Sequence, residues 1–155
     1  MKTLSTKKQG FTIIEVVLVL AIAGLIFLMV FVALPALQRS QRDTQRRNDM
    51  SRLATAITNW QVNHNNSLPT ESNETDFLNN YLKQNNGEFK DPTAGNYTLT
   101  IADYSTNGSS GNNPEIKIYT KAKCSGETAT SDGGSTNYAI VYKLEGSGSI
   151  CLDNQ

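Results

Sequence analysis

One carboxylate stands where a carboxylate is costly. Glu15 lies four residues past Phe11, at the start of an apolar run, and from residue 16 to residue 34 no charged or strongly polar side chain occurs. An ionisable group in such a setting marks function and needs a partner of opposite charge. Other candidates for chemistry are few. There is one histidine, His64, with no second ligand beside it, and there are two cysteines, Cys124 and Cys151. The cysteines read as a disulfide pair in an exported domain, or as two free thiols or half a metal site. Asp103, Ser105 and Asn107 with Gly108 have the look of a calcium loop, but Pro114 stands where its acidic closer belongs and Glu115 comes one residue late. A polar hairpin loop is the better reading. Three Asn-x-Ser/Thr triplets, at Asn73, Asn96 and Asn107, are of a kind that chance supplies in a chain so rich in Asn and Thr. No serine–histidine–acid set, phosphate-cradling glycine loop or metal cluster appears, so neither an enzyme nor a cofactor is expected.

The elements that would position Glu15 come next. The 19 apolar residues 16–34 are interrupted only by Gly24. As a helix they would span roughly 29 Å, close to the hydrocarbon thickness of a bilayer. Lys7 and Lys8 stand just ahead and should stay on the cytoplasmic side, which places the C-terminal part outside. Arg39, Arg42, Arg46 and Arg47 then fall on the far side of the span, against the simple charge bias. Pro35 removes a backbone hydrogen bond and predicts a bend near residues 31–35. Two blander readings exist. A secretory signal could be cut at Ala21-Ile22-Ala23, but the apolar run continues for another 11 residues beyond Ala23. A plain membrane anchor accounts for the length and leaves Glu15 unexplained.

The stretch KKQGFTIIEVVLVLAIAGL resembles the N-terminal signature of type IV pilins and their pseudopilin relatives. Its parts are a short basic leader ending in Gly, then Phe, Thr, two apolar residues, Glu and a long apolar helix. The likeness covers about the first 50 to 60 residues. It implies that Gly10 ends a leader removed by a prepilin peptidase. Phe11 would become an N-methylated N-terminus, and Glu15 would guide subunit docking. It also implies that Gly24 and Pro35 bracket a segment able to lose helical order in a filament, though Pro35 lies a few residues later than in the best-known members. Cys124 and Cys151 would bound the C-terminal loop of the head. Elementary electrostatics gives Glu15 the same role: cleavage creates an α-amino charge, and a carboxylate of a neighbouring subunit would neutralise it in low dielectric.

The chain has 155 residues and no formal net charge. Without residues 1–10 it would carry 11 basic and 14 acidic side chains. Residues 39–52 are net +3, and residues 53–155, with 6 basic and 11 acidic groups, are net −5. An acidic head exerts no general pull on nucleic acid. The arginine cluster reads as a solvated or headgroup-facing helix surface that pairs with acidic neighbours in a filament.

Helix should continue from residue 36 to about His64. Met50, Leu53, Ile57 and Trp60 recur at spacings of three, four and three, forming one apolar stripe suited to packing on a sheet. His64, Asn65, Asn66 and Pro69 stop it, with His64 placed to meet the helix dipole. Residues 75–83 predict a short amphipathic helix with Phe77, Leu78, Tyr81 and Leu82 inward, and a loop follows over 85–95. Strands are expected at 97–101, 115–121, 137–144 and 149–152, with a tight connection at 145–148 and a polar stretch at 125–137. The sum is an α+β fold: a long N-terminal helix packed on a small four-stranded antiparallel sheet. Its divisions are leader 1–10, membrane and polymerisation helix 11–37, amphipathic helix 38–64, and head 65–155.

These readings point to a structural subunit of an extracellular type IV pilus filament, serving adhesion, surface motility or DNA uptake. Before assembly it would be a single-pass protein of the cytoplasmic membrane. Expected partners are other pilin subunits, a prepilin peptidase, and the pilus assembly platform with its motor. A pseudopilin of a secretion or competence system is the alternative within the family. A minor, tip-located adhesin is the alternative of another class.

Overall fold

A computed structural model of the chain describes residues 10–104, 111–131 and 133–155. Lys2, Lys7 and Lys8, and Ser105, Asn107 and Gly108 of the calcium-like loop, lie outside the described residues. The first element is a single helix, α1 (Ile13–Asn63), and the chain divides into two compact units, Met1–Gln38 and Arg39–Gln155.

In the first unit, helix begins at once after Thr12 and runs unbroken through Gly24 and Pro35. The segment is long and apolar enough to cross a membrane, and none of its most apolar window is buried.

In the second unit, α1 ends where sequence chemistry ends it. Asn65 and Asn66 take left-handed backbone angles, φ 51° and 64°, which Asn tolerates better than most residues. The Asn66 N–H closes on the Gln61 carbonyl at 2.8 Å, and His64 Nδ1 lies 3.0 Å from the Trp60 carbonyl at the same end. The Trp60 and His64 rings stack there at 3.7 Å. A short helix α2 (Glu74–Tyr81) follows, then a small hairpin of β1 (Lys90–Asp91) and β2 (Gly95–Asn96).

The main sheet has β3 (Thr98–Asp103), β4 (Glu115–Thr120), β7 (Tyr138–Lys143) and β8 (Ser149–Asp153), in the order β3-β4-β7-β8. Between β4 and β7 lies a hairpin of β5 (Lys123–Ser125) and β6 (Thr128–Thr130). The α+β class and the four main strands agree with expectation. The all-antiparallel pattern does not hold. β3 pairs with β4 in parallel, Thr98 opposite Glu115 and Asp103 opposite Thr120, while β4–β7 and β7–β8 are antiparallel. The reason is chain length. Eleven positions separate Asp103 from Glu115, chain enough to return along a six-residue strand, where a two-residue turn would have forced an antiparallel hairpin. The β1–β2 and β5–β6 hairpins also replace the expected loop at 85–95 and part of the polar stretch at 125–137. Their strands are only two or three residues long and carry no alternation to read.

The core lies between α1 and one face of the sheet. Met50, Leu53 and Ile57 of α1 meet Ile116, Ile118, Ile140 and Tyr142, all fully buried. Phe77, Leu78 and Leu82 close one side and Tyr81 packs partly buried against them. The opposite face of the sheet buries Tyr119, Ala139 and Val141 with Ala122 and Ala129. β7 is therefore covered on both faces, which explains its unbroken apolar sequence.

Candidate assembly site

Thr12 and Glu15 form a reciprocal cap at the start of α1. The Thr12 N–H and hydroxyl donate to Glu15 Oε2 at 2.9 Å and 2.8 Å, and the Glu15 N–H reaches back to Thr12 Oγ1 at 3.4 Å. This satisfies donors that a helix N-terminus leaves open and sets a negative charge at the positive end of the helix dipole. The threonine-x-x-glutamate spacing before an apolar run is the readable signal for it. The cap engages one oxygen of Glu15; no described group takes the other.

Around that carboxylate the helix offers only hydrocarbon. Phe11 is 89% exposed and Phe31 73% exposed, and every large apolar side chain from Phe11 to Leu37 is exposed, all round the helix. A side-chain carbon placed on Gly24 would meet nothing within 4 Å. So much apolar surface must be covered by lipid or by protein. Gly10 and Phe11 precede α1 and are exposed. The structure brings Glu15 together with Thr12; Gly24 and Pro35 lie 9 and 20 positions further along the helix.

Inside the head, a second charged group decides how α1 is held. Arg46 is fully buried. Its Nε and Nη2 donate to the two oxygens of Asp91 at 2.7 Å and 3.1 Å, and Nη1 donates to Asp43 at 2.9 Å and to Glu145 at 3.1 Å. The Tyr142 hydroxyl donates to Asp91 at 2.8 Å. Arg42 takes both oxygens of Glu145, at 2.5 Å and 2.7 Å. Asp43 accepts the backbone N–H groups of Glu145 and Gly146 at 2.9 Å and 3.0 Å, in the β7–β8 turn.

The charges support one another. Burial works against the Arg46 charge, but bonds to Asp91, Asp43 and Glu145 hold its pKa above the ordinary arginine value. Burial likewise opposes ionisation of Asp91, yet Arg46, Thr93 and Tyr142 keep its carboxyl well below the usual range. Asp43 is lowered in the same way, by the turn N–H groups and Arg46 against its burial. Glu145 is lowered to about 2, mainly by Arg42. Asp49 is the exception, since burial outweighs the Tyr97 hydroxyl and Arg52 and pushes its carboxyl up.

This corrects the reading of the arginine cluster as one solvated surface. Arg46 is interior, and Arg42 and Arg52 are paired within the chain, the latter with Asp49 at 3.7 Å and Glu88 at 3.8 Å. Arg39 and Arg47 are exposed. A signal was present: one more step of four back from Met50 lands on Arg46, inside the buried stripe. A charge placed there demands carboxylates.

Cys124 and Cys151 form a disulfide that ties β5 to β8. Asp153 strengthens the tie by accepting the Cys124 N–H at 2.6 Å. Asp103 is engaged by the Thr120 hydroxyl and by Lys121, and Glu115 by the Thr100 hydroxyl at 2.7 Å. These protein donors occupy the two acidic groups of the calcium-like loop. Among the described residues no cluster of metal-ligating side chains occurs.

Comparison with known proteins agrees at the N-terminus. The family model of the prokaryotic N-terminal methylation motif matches residues 5–31. No curated protein and no solved structure matches the chain. The motif and the apolar helix fit anchoring in a membrane before assembly, and the motif indicates a structural subunit. With Gly10, Phe11 and Glu15 inside the matched residues, the chain carries the leader of a type IV pilin-like prepilin.

Proposed function

We propose that this protein is the structural subunit of a type IV pilus filament, cut after Gly10, methylated at Phe11 and polymerised through α1. The observation that carries this reading is Glu15, a carboxylate half engaged by Thr12 at the start of a helical stretch, up to Leu34, whose large apolar side chains are exposed all round and which holds no other charge. Lipid tails would cover the hydrocarbon but offer that carboxylate no cation. A second subunit covers the hydrocarbon and brings the new α-amino group of Phe11 as the cation. Both buried charges are then satisfied only in the assembled state. The leader is the substrate of a prepilin peptidase, and the helix waits in the cytoplasmic membrane until an assembly platform and its motor extract it. The acidic head then forms the outer surface of an extracellular fibre, and adhesion, motility or DNA uptake belongs to the fibre.

Mass spectrometry of sheared surface fibres from the native host tests this. Abundant chains beginning at Phe11 with an added methyl are expected. Chains cut at Phe11 but confined to the envelope would transfer the protein to the pseudopilin class. An intact Met1 leader in a chain absent from fibres would refute the proposal.

A further inference from the structure

Three side chains at the start of the head portion of α1 reach different parts of the fold. Arg42 and Asp43 hold the β7–β8 turn, through the Glu145 carboxylate and through the Glu145 and Gly146 N–H groups. Arg46 holds Asp91 and the Thr93 hydroxyl, the latter at 2.9 Å, and Tyr142 joins Asp91 to the central strand β7. Oxygens are shared: Glu145 Oε2 accepts from Arg42 Nε and Arg46 Nη1, and Asp43 Oδ1 accepts from Arg46 and the turn. We propose that Arg42, Asp43 and Arg46 form a tension clasp, the joint through which a pull along α1 enters the head.

The mechanical argument is one of order. A pull arriving from the residue-38 side reaches residues 42–46 before the apolar stripe that starts at Met50. Apolar contacts are non-directional and yield one at a time as a helix peels away. Charge-assisted hydrogen bonds are short, directional and stronger. Glu145 Oε2, Asp43 Oδ1 and Asp91 Oδ2 each take two donors, so the bonds of the clasp are coupled and resist the pull as a network. The force passes to β7, which is paired on both sides by β4 and β8. The biological use of the clasp rests on the filament reading above; its mechanics do not.

The test uses single full-length chains in detergent, pulled between handles at the two ends, with hydrogen exchange measured on the same material. Arg42→Gln and Asp43→Ala are expected to lower the force that releases α1 and to leave the later rupture of the sheet unchanged. Loss of a charge-assisted bond should speed exchange at the Glu145 and Gly146 amides by about tenfold to a hundredfold. Faster exchange at unchanged release force would overturn the tension role. Unchanged exchange and force in the half-exposed Arg42→Gln variant would overturn the clasp itself, whether or not Asp43→Ala folds. Neither result bears on whether the chain forms filaments, so the two proposals fail separately.

Discussion

The Arg46 guanidinium meets the Asp91 carboxylate at two points, 2.7 Å and 3.1 Å, across 45 residues of sequence, and both side chains are fully buried. Removing one partner strands the other charge in the interior. Arg46→Ala and Asp91→Ala should each cost about 3–5 kcal/mol. The double variant should cost clearly less than their sum. Denaturant unfolding of the chain in detergent measures all three, and additive losses would show that the two residues act independently.

Acid should loosen the head. Asp43, Asp91 and Glu145 ionise more readily folded than unfolded. Their contribution is complete above the ordinary carboxylate range and is lost as pH falls through their lowered values, to about 2 for Glu145. Asp49 has the opposite sign: its raised value means that protonation relieves a burial cost, so it offsets part of the loss. The unfolding midpoint should fall as pH drops from about 4.5 toward 2. A midpoint that rises over that window would contradict the assignment.

The apolar stripe of α1 can be weighed against its solvent face. Leu53→Ala removes a fully buried side chain from the heart of the core and should cost about 2–5 kcal/mol. Val62 is 79% exposed, and Val62→Ala should stay within about 0.5 kcal/mol of the parent. Thermal melts of the two variants, compared side by side, give the ranking.

The disulfide closes a loop with a sequence separation of 27. The chain-entropy relation gives it about 3–4 kcal/mol, so Cys124→Ser with Cys151→Ser should lower stability by that amount. Hydrogen exchange should quicken first in β5, β6 and β8. If quickening began in α1 instead, the bond would have a wider role than tying the hairpin to the sheet edge.

Glu15→Ala tests the assembly role apart from processing. Cleavage after Gly10 should persist, and cut chains should collect in the membrane fraction while sheared fibres lose the protein. The Thr12 cap alone is worth about 1 kcal/mol, too little to abolish assembly, so Thr12→Ala should still yield fibres. Loss of fibres in both variants would assign the effect to helix capping rather than to charge pairing.

Much of this was legible in the residues. Glu15 in its apolar run, the stripe from Met50 to Trp60 and the four main strands are regular local patterns with a physical period. The parallel pairing of β3 with β4 was not, because register across a long connection is settled by packing rather than by local alternation. The β1–β2 and β5–β6 hairpins were missed because two or three residues carry no period. The clasp was missed because its acids, Asp91 and Glu145, lie far from Arg46 in sequence; only the step back from Met50 hinted that Arg46 was inside.

The spacing of these contacts along the chain also orders folding. β3 with β4, β4 with β7 and β7 with β8 pair residues close in sequence, so the sheet closes small loops. The clasp spans 45 to 103 residues, and helix docking closes the largest loops of all. The sheet can therefore form first, with the apolar face of Ile116, Ile118 and Ile140 open until α1 arrives. For that interval the face accepts any helix bearing the same stripe, so at high local concentration two chains can exchange their helices and become trapped as a swapped dimer.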